Sequence, residues 1–423
     1  MSNIQWTDET WNPVVGCTKV SSGCANCYAE VMSNRLAGMA RADVAAGKEP
    51  GRKAHHLAVI NGAGRFNGTV RTVPEVLGEP LRWRTGGARR VFVNSMSDLF
   101  HEGVEFEYIA AVHGIMLWCP GVEFQVLTKR PERALKFQRW LVAHADAHST
   151  TIAGALLHYA QKFCRDPKDL RECHPRLKRD LDEKLRTLWP LPNVWLGASV
   201  EGPKVLWRVE ALLRCDAAVR FLSVEPLLDD LGGDLPLHAE CPLHPGAAVH
   251  GLRGDTGEPF SWYCYECGGD ALPLPSIDWV IFGGESGAGA RPCDAAWIRR
   301  PLALCAAAGV PAFVKQLGAA SFDSAGEAFC TFASHGQWVH KAGSWLGGVS
   351  GGGQRHKPRE RVACVDARGR LCAVGADFMR ADADGAYPVR AFKFTELRDA
   401  KGGDVNEWPA ELRVREWPKG AKG

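Results

Sequence analysis

Three cysteines near the start of the chain, Cys17, Cys24 and Cys27, stand in a C-x6-C-x2-C pattern. Thr18 to Gly23 between them is a polar, glycine-containing stretch able to curl round a metal centre. Behind it Tyr28, Met32, Leu36 and Met39 recur at helical spacing, which places Cys27 at a helix start, where the partial positive charge favours thiolate. Three thiolates without a nearby fourth leave one iron of a [4Fe-4S] cluster without a protein ligand, whereas electron-transfer clusters are held by four. An open iron can bind a substrate or cofactor. In a barrel whose cysteine loop follows the first strand, the matching ligand is the methionyl end of S-adenosylmethionine, whose C–S bond the cluster's electron would cleave. Two other readings of these residues stay open, a zinc site completed by a distant His or Cys and three buried structural cysteines.

A second group, Cys241-Pro-Leu-His244 and Cys264-Tyr-Glu-Cys267, forms two x2 knuckles separated by 19 residues. That is zinc-ribbon ligand spacing, and four ligands close a tetrahedron, so structural zinc is expected; the alternative is a loop with incidental thiols. An insertion with few apolar residues cannot build its own core, and a metal would supply the folding energy. Trp262, Tyr263 and Tyr265 beside the knuckle have faces on which bases could stack, although packing round the metal is the simpler use.

These groups account for six of 15 cysteines; Cys119, Cys164, Cys173, Cys215, Cys293, Cys305, Cys330, Cys364 and Cys372 are single and need no special role. An odd count in a chain of 423 residues, with no basic and apolar leader at its start, argues against a secreted disulfide scaffold and for a reducing cytoplasm. No run approaches a membrane span, so no membrane partner is expected. Charged residues nearly cancel, 51 Lys and Arg against 48 Asp and Glu, which excludes a protein that binds nucleic acid by bulk positive charge and limits any such patch to a local one.

Six short β-branched runs must position these groups: Arg90–Asn94, Glu123–Thr128, Asn193–Gly197, Val219–Ser223, Asp278–Phe282 and Pro311–Lys315. Unalternated runs of this length suit parallel strands buried on both faces. A first strand is expected near Trp11–Val15, and helices over Tyr108–Trp118, Val205–Leu213 and Ala295–Ala307 lie between strands. At least seven βα units point to an α/β fold, a full or partial (β/α) barrel, in which chemistry gathers at the C-terminal strand ends. Residues 1–318 form the expected core, with a helical insertion at 131–192 and the zinc-knuckle insertion at 231–276. Residues 319–423 read as an irregular appendage containing a Gly-rich loop, Gly343–Gly353, and a basic run, Arg355–Arg361.

Polar residues end these strands in six sets: Asn94, Ser95 and Asp98; Thr128, Lys129 and Arg130; Ser199 and Glu201; Ser223 and Glu225; Gly283, Gly284, Glu285 and Ser286; Lys315 and Gln316. Glu201, Glu225, Glu285 and Lys129 are the candidate catalytic groups, with Lys129, Arg130 and Lys315 available to an anionic substrate.

Taken together, Ile4-Gln-Trp-Thr-Asp8, Trp11-Asn-Pro13, the three-cysteine loop with Cys27-Tyr-Ala-Glu30, Asn94-Ser-Met-Ser-Asp-Leu-Phe100, Leu127-Thr-Lys-Arg-Pro131, Trp195-Leu-Gly197, Phe221-Leu-Ser223 with Glu225-Pro226 and Gly283-Gly-Glu-Ser286 carry a resemblance. The chain resembles the phage and prophage family of three-cysteine-motif proteins, whose barrel is similar to that of radical S-adenosylmethionine enzymes. The resemblance runs to about Gly318 and reappears at Glu407-Trp-Pro and Leu412-Arg-Val-Arg-Glu-Trp-Pro418. It implies a radical-SAM-like barrel with Asn94, Ser95 and Asp98 near the methionyl amino group, Ser199 with Glu201 near the ribose, and Gly283 and Gly284 in the cofactor site. The wider superfamily uses C-x3-C-x2-C with an aromatic before the last cysteine; here Asn26 holds that place and Tyr28 comes after it.

Three functions are thus weighed. The first is an iron–sulfur enzyme acting on S-adenosylmethionine and an unknown substrate, a nucleobase or nucleotide among the candidates, with a partner protein encoded nearby. The second is a non-catalytic metalloprotein that binds nucleic acid. The third is a carboxylate-dependent barrel hydrolase using Asp98, Glu201, Glu225 or Glu285, which leaves the cysteine loop unexplained.

Overall fold

The computed structural model describes residues 4–83, 89–164, 188–232, 235–241, 243–244, 249–252, 261–270, 274–287, 289–319, 321–322, 328–331, 339–340, 344–345, 362–365, 371–374, 390–397 and 403–418. Its centre is one parallel sheet of seven strands in sequential order: β1 Glu9–Trp11, β2 Arg89–Val93, β3 Val122–Thr128, β4 Val194–Ser199, β5 Val219–Val224, β6 Trp279–Gly283 and β7 Ala312–Gln316. Among the described residues no ladder joins β1 to β7. The sheet is therefore a curled partial barrel within a mixed α/β fold. The six β-branched runs fall on β2 to β7 within one or two residues of their expected ends.

The first strand is shorter than expected. Val14 and Val15 leave the sheet and pair antiparallel with Arg71 and Thr72, because Pro13 carries no N–H to continue the parallel ladder. That departure turns the chain toward the cysteine loop.

The convex face is covered by helices α1 Tyr28–Ala45, α2 Phe106–Leu117, α3 Pro131–Ala147, α4 Ile152–Phe163, α5 Trp207–Leu213 and α6 Ala295–Ala308. Helix α3 directly succeeds β3 and belongs to the helical layer, so the expected insertion begins only with α4; residues 165–187 lie outside the described residues. Helices α2 and α4 touch at Gly114, where an added Cβ would stand 2.2 Å from the Leu156 carbonyl oxygen. In α1 the expected apolar face is displaced by one position. Ala29, Ser33, Ala37 and Ala40 are buried with Glu30, while Tyr28 and Met39 are exposed. Glu30 tolerates burial because Arg65 Nη1 (2.6 Å), the Phe66 N–H (3.1 Å) and Lys19 (3.4 Å) neutralise it.

The concave side of the sheet holds a separate aromatic core of Trp6, Trp195, Phe221, Trp279, Ile281 and Phe313. Alternation along each strand puts these residues inside the curl and their neighbours under the helices. The C-terminal segment closes this core. The Val314 N–H donates to Val414 O and the Glu416 N–H to Ala312 O, both at 2.8 Å, so the segment covers the outer edge of β7. Trp417 then stacks on Trp279 at 5.1 Å between ring centroids, and Arg90 of β2 lies 3.9 Å over the Trp417 ring. Residues 403–418 are thus part of the barrel rather than an appendage. Between them and β7, Ala328–Thr331, Arg390–Leu397, Val362–Val365 and Leu371–Val374 form a four-stranded sheet. The basic run Arg355–Arg361 lies outside the described residues.

Candidate functional site

With aromatic side chains filling the concave side below, the C-terminal strand ends enclose a cavity of ≈ 310 Å³. Cys17, Cys24 and Cys27 all line it. Cys27 is the N-cap of α1, as the spacing requires. Its thiol is nevertheless raised above the ordinary range, because burial outweighs the N–H groups of Glu30 and Ala29 directed at it. Burial, reinforced by Asp98, likewise pushes Cys17 up to about 12 despite Arg130. Free of metal, both are thiols, and a metal would have to displace their protons.

A shell of ion pairs holds the loop on the strand ends. Arg130, at the start of α3 and 6% exposed, donates from Nη1 to Cys17 Sγ (3.8 Å) and Asp98 Oδ2 (3.1 Å), from Nη2 to Thr18 O (3.2 Å) and Thr18 Oγ1 (2.8 Å), and from Nε to Glu102 Oε2 (3.0 Å). Asp98 also accepts from Thr128 Oγ1 (2.7 Å), the Lys129 N–H (3.0 Å) and the Phe100 N–H (3.0 Å). Glu201, 1% exposed, accepts from Ser21 Oγ (2.7 Å) and Lys129 Nζ on one oxygen and from Arg208 Nη1 (2.8 Å) on the other. Burial alone would raise its pKa, but Lys129, Arg208 and Ser21 outweigh it and hold the carboxyl below its ordinary value. A Cβ on Gly23 would fall 2.4 Å from the Glu201 side chain, so only glycine lets the loop pass over it.

Glu285 does the same at the other end of the loop. It accepts from Asn26 Nδ2 (3.0 Å), from the Arg291 N–H and Nε (both 2.9 Å) and from Arg291 Nη2 (2.6 Å). Arg291 Nη1 continues to Ser22 O (2.7 Å). Burial raises the Glu285 pKa, yet Arg291 and Asn26 bring it below the ordinary value.

Glu201 and Glu285 were expected as acid–base groups and Asp98 as a cofactor contact, but their oxygens are occupied by donors that fasten the loop. Lys129 is tied to Glu201 in the same way. In this geometry these side chains hold the cysteine loop on the strand ends. Ser95 Oγ donates to Asn12 Oδ1 (3.1 Å), which also accepts from the Met96 N–H. Asn94, Ser95, Ser199 and Gly284 line the cavity. Gly283 backs Glu225, whose Oε1 lies 2.2 Å from where a Cβ would stand.

Two places remain chemically open. Lys315 Nζ is 3.2 Å from Glu225 Oε1, close enough for attraction yet not aligned as a hydrogen bond, and Ser223 Oγ reaches Glu225 Oε2 at 3.5 Å. Asn94, 2% exposed with left-handed φ of 60°, has an Nδ2 with no protein partner. Asn94, Ser223, Glu225 and Lys315 are all among the residues lining the cavity. Sequence reasoning missed Ser21, Asn26, Arg208 and Arg291. Arg208 and Arg291 come seven and six residues after Glu201 and Glu285, a recurrence that marks paired partners once the strand ends are known.

The second cysteine group converges independently. Cys241 Sγ, His244 Nδ1, Cys264 Sγ and Cys267 Sγ lie within 4.8 Å of one another. Cys241 and Cys267 sulfurs are 3.5 Å apart, and His244 Nδ1 is 3.9, 3.7 and 3.4 Å from the three sulfurs. Bonds of about 2.3 Å to sulfur and about 2.0–2.1 Å to nitrogen give tetrahedral edges of about 3.8 Å and about 3.5 Å. These four residues therefore form a site that fits one tetrahedral metal such as zinc. Val249–Leu252 and Ser261–Cys264 form an antiparallel hairpin that delivers Cys264. Among the described residues no other set of three or more His, Cys, Asp or Glu ligands is so close. The loop thiols thus share a cavity without converging on a single-ion site.

Among the described residues no helix is long and apolar enough to cross a membrane. No curated protein and no solved structure matches the chain. The family model described as "Protein of unknown function (DUF5131)" matches residues 1–369, and the chain belongs to that family.

Proposed function

We propose that Cys17, Cys24 and Cys27 hold a [4Fe-4S] cluster and that the cavity beside it takes S-adenosylmethionine, making this an iron–sulfur enzyme of radical-SAM-like type. The supporting observation is that three thiols line one cavity at the C-terminal strand ends, with no fourth Cys and no His among its described lining residues, and without forming a single-ion geometry. A cluster of several metals spreads its thiolates wider than one ion does. When bound, the cluster would supply an electron for cleavage of the cofactor's C–S bond.

The chain's own residues do the rest. Arg130, Asp98, Glu201, Lys129, Glu285 and Arg291 fix the loop, so that its three sulfurs keep one arrangement. Asn94 and the Glu225–Lys315 pair line the cavity and would orient a ligand, with Glu225 as acceptor and Lys315 as donor to an anionic group. Phe92 and Leu127 add apolar lining to the same cavity. Zinc at Cys241, His244, Cys264 and Cys267 would have a structural role, since the four protein ligands leave no open position. The substrate, with a nucleobase or nucleotide as the first to try, the phage setting and a partner protein belong to the same proposal.

The test is anaerobic purification with iron and sulfide analysis, then reduction, addition of S-adenosylmethionine and a search for 5′-deoxyadenosine. Iron with sulfide and cofactor cleavage are expected, and both should vanish in Cys17→Ala while zinc is retained. Zinc at both cysteine groups and no iron would overturn the proposal. Iron without cleavage, joined to salt-dependent binding of DNA or RNA, would favour a non-catalytic nucleic-acid binder.

A further inference from the structure

Arg130 is the one guanidinium that reaches a loop sulfur among the described residues, with Nη1 3.8 Å from Cys17 Sγ. It is 6% exposed, so little solvent screens its charge. The same Nη1 lies 3.1 Å from Asp98 Oδ2, and Asp98 is 5% exposed. Glu102, the third member, is 65% exposed at its side chain and its charge is largely screened.

Thr18 extends the arrangement. Its hydroxyl takes Arg130 Nη2 at 2.8 Å and lies 2.8 Å from His101 Nε2. His101 Nδ1 accepts the Gly103 N–H at 3.0 Å, so in neutral His101 the proton sits on Nε2 and is donated to Thr18. With two donors on its oxygen, the Thr18 hydroxyl keeps its own proton for a third partner, and Thr18 lines the cavity.

We infer that Arg130 is the positioning residue that sets the reduction potential of the cluster, raising it through the charged hydrogen bond to Cys17, with Asp98 as the opposing charge. This rests on the cluster reading above. Reduction adds negative charge to a cluster, and the potential depends on the net charge and the hydrogen bonds at its sulfurs. A buried cation at the sulfur favours the reduced form. A buried carboxylate sharing the same Nη1 disfavours it.

The experiment is a redox titration of the anaerobically reconstituted full chain, monitored by electron paramagnetic resonance, with iron and sulfide measured on each sample. Arg130→Gln should lower the midpoint by at least ~59 mV, a tenfold change in the oxidised-to-reduced ratio for one electron. Arg130→Lys, which keeps the charge, should restore most of that shift. Asp98→Asn should move the midpoint upward. General damage to the loop would move Arg130→Gln and Asp98→Asn in the same direction, and that result overturns the inference. So does an iron-loaded Arg130→Gln at the parental potential, which leaves the cluster reading intact. If Arg130→Gln takes up no iron, the sign of the Asp98→Asn shift decides. Absence of iron from the unaltered chain overturns both.

Discussion

Replacing Glu201 by Gln tests whether the strand-end carboxylates position the loop. The side chain keeps its shape and loses its charge. Arg208, 1% exposed, has Glu201 as its carboxylate partner among the described residues, and its Nε makes no hydrogen bond. Lys129 is about a fifth exposed and can turn to water. The cost is therefore dominated by one buried, uncompensated guanidinium, about 3–5 kcal/mol. Equilibrium urea unfolding of the metal-free chain measures it, and the rate at which Cys17, Cys24 and Cys27 react with a thiol reagent reports loop release. Arg208→Met alone should cost less, because Glu201 keeps Lys129 and Ser21 as partners, while Glu201→Gln with Arg208→Met should cost much less than the two added, because no buried charge is left unpaired. Acid gives an independent check. The folded carboxyl titrates below its ordinary value, so its contribution is present above about pH 4.5 and lost as the pH falls through the folded pKa. Glu201→Gln should lack that acid component. A loss under about 1 kcal/mol with unchanged thiol reactivity would refute the positioning role.

Three other parts of the molecule give their own expected outcomes. His113, buried among Phe100, Phe137 and Trp189, is lowered by burial from 6.5 to about 4. The unfolded chain then binds the proton first. Stability should be full above about pH 6.5 and fall by roughly 3 kcal/mol on approach to pH 4, and unfolding of His113→Leu across that range should lose this part of the slope. Cys264→Ser should remove one bound metal and abolish protection of the Val249–Leu252 and Ser261–Cys264 amides in hydrogen exchange, while β1 to β7 keep theirs. Trp417→Ala removes the stack on Trp279 and the contact with Arg90; a loss of about 3 kcal/mol in unfolding free energy is expected, and a change below about 0.5 kcal/mol would show that the tail does not close the barrel.

The strands were legible because each of β2 to β7 carries a short cluster of β-branched and aromatic residues, as in Val91-Phe-Val93 and Val280-Ile-Phe282, even where Arg90, Glu123, Gln125 or Arg220 interrupts it. The zinc-like site was legible because its ligands come in two short knuckles whose spacing fixes their geometry. The buried face of helix α1 was misassigned by one position for a physical reason. Apolar spacing locates a buried face only where bulk fills a core, and α1 packs closely through alanine, serine and a neutralised Glu30 while leaving Tyr28 and Met39 outside. The tail was misjudged because Trp408, Leu412 and Trp417 are too sparse to show a period, and what they cover is distant in sequence.

The same limit explains the strand-end carboxylates. Sequence places Glu201, Glu225 and Glu285 at equivalent positions of successive strands, and nothing local tells them apart. Their partners do. Arg208 and Ser21 converge on Glu201, and Arg291 and Asn26 on Glu285, from segments up to 259 residues away. Glu225 meets only Lys315 and Ser223 among the described residues, at distances of 3.2 and 3.5 Å. A carboxylate saturated by buried donors is held ionised and immobile, which suits a scaffold and opposes proton transfer. A loosely paired carboxylate on a cavity wall can exchange its partner for a ligand at little cost. Selection among equivalent strand ends therefore comes from which donors the cysteine loop and the succeeding helices bring back to the barrel mouth. By that criterion the proposed ligand-facing pair is Glu225 and Lys315, and if that proposal holds Glu225→Gln should weaken ligand binding while leaving the loop thiols as unreactive as before.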